Sequence, residues 1–193
     1  RIGEPVTYTG AQYLREELLQ GNSRCWSKLY RRSLIGKLRF QRGLSIGEDM
    51  LFLTELLGYA RKVSEIDYPG YGYYQNAKGA MNRPFTPSYM DQITCWELAR
   101  DRILAIDSTL EAKVTSILIM GIMLTAGKLA MLPAVGRRKN AKYIQICRDK
   151  LKQELQVPGA YELLSGGYRL KAKLFAAAPG LYLYGYHFRK YKG

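Results

Sequence analysis

Two neighbouring carboxylates, Glu48 and Asp49, head the segment GEDMLFLTELLGYAR, and cations stand on either side of them in the chain: Lys28, Arg31 and Arg32 upstream, Lys78 and Arg83 downstream. A carboxylate in the first turn of a helix is kept ionised by the helix dipole and can accept a proton, or it can do no more than charge the helix start. Lysines and arginines can hold an anion or form a solvated face. Other chemistries find few residues to work with. Cys25, Cys95 and Cys147 are far apart and odd in number, which suits neither a disulfide framework nor a zinc site, and they read as reduced thiols. The single histidine, His187, sits in a Tyr-rich tail without ligating company and reads as a packing or interfacial residue. There is no phosphate-binding G-x-x-x-x-G-K-[ST], no G-x-G-x-x-G and no H-E-x-x-H.

The elements that must position Glu48 and Asp49 follow from periodicity. Thr9 predicts an N-cap for a short amphipathic helix, AQYLREELLQG, that buries Tyr13, Leu14, Leu18 and Leu19 and stops at Gly21 and Asn22. CWSKLYRRSLIGKL, apolar at Trp26, Leu29, Tyr30, Leu34 and Ile35, predicts a second helix. The segment opened by Glu48 is the clearest helix, with Met50, Phe52, Leu53, Leu56 and Leu57 on its core face. KVSEIDYPGYGYYQN alternates as a strand bent at Pro69 and Gly70, and KGAMNRPFTP reads as loop. Beyond Pro87 the pattern predicts only helices: Ser88 to about Asp107, Thr109 or Leu110 to Leu132, Val135 to Gln156, Gly167 to Ala178, then a Tyr-rich basic helix or tail. VTSILIMGIMLTAG is 14 residues long between Lys113 and Lys128, short of the roughly 20 that span a bilayer, and is expected to be a core helix rather than one lying in a membrane plane. The change of texture divides the chain into 1–87 and a helical basic extension, 88–193.

Charge narrows the partners. Thirty Lys and Arg face 16 Asp and Glu, a net charge of +14, while the apolar content of 47% is that of an ordinary packed domain. From Arg137 to the end there are 13 basic and 3 acidic residues, mixed with tyrosines. That composition suits an anionic membrane surface better than nucleic acid. The opening RIGEPVTYTG has no signal-peptide architecture and no initiator Met, and the chain reads as a piece of something longer.

Taken in order, W-S-K-L-Y-R-R, R-F at Arg39 and Phe40, G-E-D-M-L-F, Y-x-Y-Y from Tyr71 and K-G at Lys78, with 18 residues separating Tyr30 from Asp49, resemble the C-terminal half of bacterial family 2 glycosyltransferases of the capsule and exopolysaccharide type. The resemblance covers about Val6 to Asn82. It implies an α/β fold: the C-terminal part of a GT-A nucleotide-diphospho-sugar transferase, predominantly helical in this piece, with a few short strands and a helical C-terminal extension. The implied activity is inverting transfer of a sugar from a nucleotide-diphosphate donor to an acceptor hydroxyl in cell-surface glycan synthesis. Asp49 matches the family's catalytic base, with Glu48 beside it. Lys28 is implied to hold the base or the donor phosphate. Trp26 either stacks on a sugar ring or belongs to the core. Lys78 and Arg83 are electrostatic candidates near the leaving diphosphate, although Ala80 replaces the small hydroxyl residue usual in that loop.

The family's D-x-D motif lies upstream of the matched region, and no two aspartates here are separated by one residue. A divalent metal, Mg or Mn, is therefore expected in the full-length enzyme with ligands outside this chain, which alone is expected to be inactive. The implied partners are a nucleotide-sugar donor and a glycan or lipid-linked acceptor, with an anionic membrane surface besides and no nucleic acid. The implied location is cytoplasmic, peripheral at the inner face of the cell membrane. The contrasting expectation is a non-catalytic basic helical module that binds nucleic acid, a membrane surface or a partner protein.

Overall fold

The computed structural model describes residues 3–74, 79 and 82–192, without the side chains of 190–192. Near its start the chain forms β1 (Val6–Tyr8) and α1 (Gly10–Glu16). Thr9 caps α1 as its position predicts: its Oγ1 accepts the Gln12 N–H at 3.2 Å while Gln12 Oε1 accepts the Thr9 N–H at 2.8 Å. Tyr13 and Leu14 are buried on the inner face, and after a 3-10 turn over Leu18–Gln20 the chain leaves through Gly21 at φ 113°. A four-residue helix, α2 (Arg32–Ile35), and then α3 (Glu48–Leu57) follow. β2 (Val63–Glu65) returns antiparallel to β1, with Val6 opposite Glu65 and Tyr8 opposite Val63. Gly10 donates its N–H to the Ala60 carbonyl at 3.1 Å, and a Cβ there would stand 2.2 Å from the Leu57 carbonyl oxygen. Only glycine lets α1 approach the end of α3 so closely.

A 3-10 turn at Pro87–Met90 then leads into the helical body: α4 (Asp91–Ile106), α5 (Glu111–Ala130), α6 (Ala134–Lys139), α7 (Ala141–Glu154), α8 (Gly166–Ala177) and α9 (Pro179–Lys192). α5 is the central post, packed on by α4, α7, α8 and α9. Together with the 3-10 turn before it, it forms a stretch, Ser108–Ala130, long and apolar enough to cross a membrane by length and composition; 67% of its apolar window is buried inside the fold. Ile119, Ile122 and Leu129 of α5 meet Cys147 and Leu151 of α7 and Phe175 of α8 in one apolar cluster. Leu14, Leu51 and Leu53 meet Ile103 and Val114 in a second, and Trp96 packs against both. Each large side chain so buried contributes about 1.5–3 kcal/mol.

Polar joints fix how the helices meet. Gln92 of α4 donates to the Thr125 hydroxyl of α5 at 2.7 Å and to the Gly121 carbonyl at 3.3 Å; the hydroxyl itself lies 3.2 Å from the carbonyls of Gly121 and Tyr89. Arg100 pairs with the buried carboxylate of Glu154 and Lys150 with Glu97, tying α4 to α7.

Among the described residues the chain is thus mostly helical with two short antiparallel strands. The helices predicted beyond Pro87 form close to their expected bounds, except that the expected Val135–Gln156 helix is broken at Asn140 into α6 and α7. Two predictions before Pro87 need correction. The helix expected over residues 25–38 shrinks to α2, and the strand expected over residues 62–76 shrinks to three residues, with Ile66–Tyr74 outside any strand.

Candidate functional site

Both corrections concern the walls of a cleft of about 1240 Å³. Its floor is α3, through Leu53, Leu56 and Leu57; one wall is the loop from Asn22 to Leu34, and the other is β2 with its continuation to Tyr71. Hydrogen bonds to side chains, one within the loop and one on α3, explain why the first wall is not a helix. The Cys25 carbonyl, which a helix would give to the Leu29 N–H, instead accepts the Tyr30 hydroxyl at 2.8 Å, and the Cys25 N–H goes to Asp49 Oδ2 at 3.1 Å. Ser27 adopts φ 61°, a left-handed conformation that costs an ordinary side chain about 1–2 kcal/mol and ends any helical run. Leu29, expected on an inner face, is fully exposed. On the opposite wall two tight turns follow one another: the Tyr68 N–H reaches the Ile66 carbonyl at 3.1 Å, and around Pro69 the Gly70 N–H reaches the Tyr68 carbonyl at 2.8 Å.

Aromatic stacking joins the walls. Trp26 is stacked against Tyr71 and Tyr73, with centroids 5.1 and 4.7 Å apart, and the Arg24 guanidinium lies over its ring at 5.2 Å. The indole is therefore neither a core residue nor a bare platform; a sugar ring would have to take the place of one of these partners. Phe40, of the R-F pair, stacks on Phe52 of α3 at 4.5 Å, and Tyr30 meets the same ring edge-on at 6.4 Å.

Asp49 stands at the head of the cleft floor. It precedes Leu53 by four residues and Leu56 by seven, so its carboxylate lies on the same stripe of α3, one turn up, outside the lining itself. Oδ2 is held by Cys25, and Oδ1 accepts no hydrogen bond among the described residues. The approach to Asp49 is fixed from α4: Asp91 Oδ2 accepts the Ser45 N–H at 2.9 Å, and the Cys95 thiol donates to the Ile46 carbonyl at 3.4 Å. Gly47 then turns into α3 at φ 93°, and a Cβ on it would lie 2.9 Å from Cys95 Cβ. Glycine is required there twice, by conformation and by space. Glu48, half-buried like Asp49, starts α3 close enough to Cys95 for its charge to help burial hold that thiol up at about 12.

The cleft is electropositive. Arg24, Lys28, Arg31, Arg61 and Lys62 contribute to its lining, and Glu65 is the one carboxylate among the lining residues described. Lys28 reaches Asn22 Oδ1 at 2.6 Å, and burial lowers its pKa against the pull of nearby anions, Glu65 and Asp49 among them. Burial raises the Glu65 pKa, assisted by the charge of Glu17, and its Oε2 has no hydrogen-bond partner. Burial, then the Asp49 charge, pushes the Cys25 thiol up to about 12, so it is a protonated packing group and not a nucleophile near neutrality.

The structure thus brings together Trp26, Lys28 and, through Cys25, Asp49. Arg83 lies elsewhere: exposed, beyond the cleft lining, with its carbonyl accepting the Tyr89 hydroxyl and the Lys128 ammonium, each at 3.0 Å. Lys78 falls outside the described residues. Sequence reasoning passed over Glu65, whose only signal was a polar position in an alternating strand. It also passed over the run Gly43-Leu44-Ser45-Ile46-Gly47, which matches the G-x-S-x-G spacing of a nucleophile elbow. That run is loop and bend rather than the strand-to-helix elbow, and the chain's single histidine is engaged elsewhere, with His187 Nδ1 3.0 Å from the Ala130 carbonyl. No set of three His, Cys, Asp or Glu among the described residues converges to hold a metal ion. No protein-family model, curated protein or solved structure matches the chain.

Proposed function

We propose that this chain is the acceptor side of an inverting, GT-A-type sugar transferase, and that Asp49 is its base. The observation that carries this reading is the placement of Asp49: in the first turn of α3, one oxygen anchored by a backbone N–H, the other open, at the head of a basic cleft. The Cys25 N–H fixes the orientation of the carboxylate through Oδ2 and leaves Oδ1 for the acceptor's proton. As the acceptor hydroxyl attacks the anomeric carbon, the new O–C bond forms on the face opposite the departing diphosphate. The C–O bond to that diphosphate breaks, and the hydroxyl proton passes to Asp49 Oδ1. The cations at Arg24, Lys28 and Arg31 suit an acceptor that carries phosphate, such as a lipid-linked pyrophosphate, and Trp26 with Tyr71 and Tyr73 supplies aromatic faces for sugar rings. The divalent metal that this class uses has no ligand set among the described residues, so the step above involves only the chain's own groups. On this reading donor and metal are held by other residues of the intact enzyme, and the reaction takes place at the cytoplasmic side of the cell membrane.

Asp49→Asn in the intact enzyme tests the reading. Transfer is expected to fall by about 10²–10⁴-fold, with donor affinity unchanged by equilibrium binding. Transfer that survives the substitution removes Asp49 from the chemistry.

A further inference from the structure

Helix α9 has two apolar faces and one interior to put them in. Tyr182 and Leu183 are buried, and Tyr186 packs on α5 with its hydroxyl end over Gly127. Leu181 and Tyr184, each 67% exposed, stand on the outer side at helical spacing, and Phe188, stacked on Tyr184 at 6.4 Å, continues the stripe. On α8, Leu170 and Leu174 likewise face outward, opposite the buried Ala172 and Phe175. The core explains none of these outer residues.

Charge identifies what does. Across α8 and α9 the sequence carries Arg169, Lys171, Lys173, Arg189, Lys190 and Lys192 and not one acidic residue. A protein partner could cover the apolar stripe, but it would have to match six cations with a dense acidic patch. A bilayer rich in anionic headgroups offers both complements at once: negative charge at the surface and a boundary a few ångströms deep where leucine, tyrosine and phenylalanine side chains are at home. Lys171 and Lys173 already lie over the rings of Tyr168 and Tyr161, at 5.5 and 4.8 Å, so part of the cation set is seated on aromatic faces at the protein surface.

We infer that the outer face of the α8–α9 pair docks on an anionic membrane surface, with Leu181 and Tyr184 entering the headgroup boundary and the basic residues engaging the lipid phosphates. The inference is independent of the transferase reading, and neither falls with the other.

Co-sedimentation of the whole chain with phosphatidylcholine vesicles, with and without one-third phosphatidylglycerol, tests it. Binding is expected to the anionic vesicles alone and to weaken as salt is raised. The double variant Leu181→Ser/Tyr184→Ser should weaken binding by tenfold or more while its thermal melt stays at the wild-type value, because both side chains are exposed in the fold. Equal binding to neutral and anionic vesicles, absence of binding to either, or a double variant that binds as wild type each overturns the inference. So does a short DNA duplex that binds the chain more tightly than the anionic vesicles do.

Discussion

The walls of the cleft and the helical body are built by different physics. In the body, α4, α5, α7 and α8 bury apolar residues such as Ile93, Ile122, Leu151 and Phe175 in one cluster, and polar groups that enter, such as Gln92 and Thr125, find each other. In the cleft walls the chain has almost no regular structure. It is held by isolated contacts: Cys25 to Asp49, Lys28 to Asn22, Trp26 to Tyr71 and Tyr73. The body is stabilised by area removed from water, the walls by a few directional bonds at half-exposed positions. The difference shows where the molecule tolerates change: the walls can lose a contact and stay folded, and the body cannot.

Paired truncations give the largest test of that contrast. Phe175→Ala, at a fully buried site, should cost about 3–5 kcal/mol in urea unfolding, whereas Trp26→Ala should cost about 1 kcal/mol, the value of its stacking. Comparable losses at the two sites would mean that the walls and the body form one cooperative core. Gly47→Ala probes the seam between the regions. The added methyl meets Cys95 and forces a strained φ, so a loss of about 2 kcal/mol is expected; on the proposed transferase reading, transfer by the intact protein should also fall beyond what the stability loss explains, because Asp49 follows two residues later. A normal kcat in that variant would show that the seam does not position the base.

The smallest effect is expected within the cleft. Burial raises the Glu65 pKa in the folded chain, so the stability linked to its protonated form is fully present below the ordinary glutamate value and lost as pH rises through the raised one. Glu65→Gln should therefore raise the urea midpoint at pH 7 and leave it unchanged near pH 3.5. An equal gain at both pH values would assign the effect to something other than the carboxyl charge.

The same contrast decides what was legible in the sequence. Helices whose apolar residues recur every three or four positions over ten residues or more, α3, α4, α5 and α7, could be read directly, and so could the Thr9 cap, because their causes are local. The segment from Cys25 to Leu38 carries the same spacing, yet folds otherwise. Its amide at Cys25 and its rings at Trp26 and Tyr30 are claimed by residues far along the chain: Asp49, Tyr71, Tyr73 and Phe52. Only the Cys25 carbonyl's bond to Tyr30 is local, and it too replaces a helical bond. Nothing in the spacing reveals such competitors. Asp49 was legible as a charged helix start, but its anchoring by Cys25 and its separation from the cleft lining by one helical turn depend on long-range packing, as does the distance of Arg83 from both.

The first two turns of α4 face two ways. Asp91 and Cys95 grip the loop that leads into Glu48 and Asp49, while Gln92 between them grips α5, the post on which α9 rests. Hydrogen bonds and packed helices make up that route from the cleft to α9. On the proposed transferase and docking readings taken together, the fold would act as a spacer: it would set the working height of Asp49 above the lipid plane, and so the reach that a lipid-tethered acceptor needs to meet it.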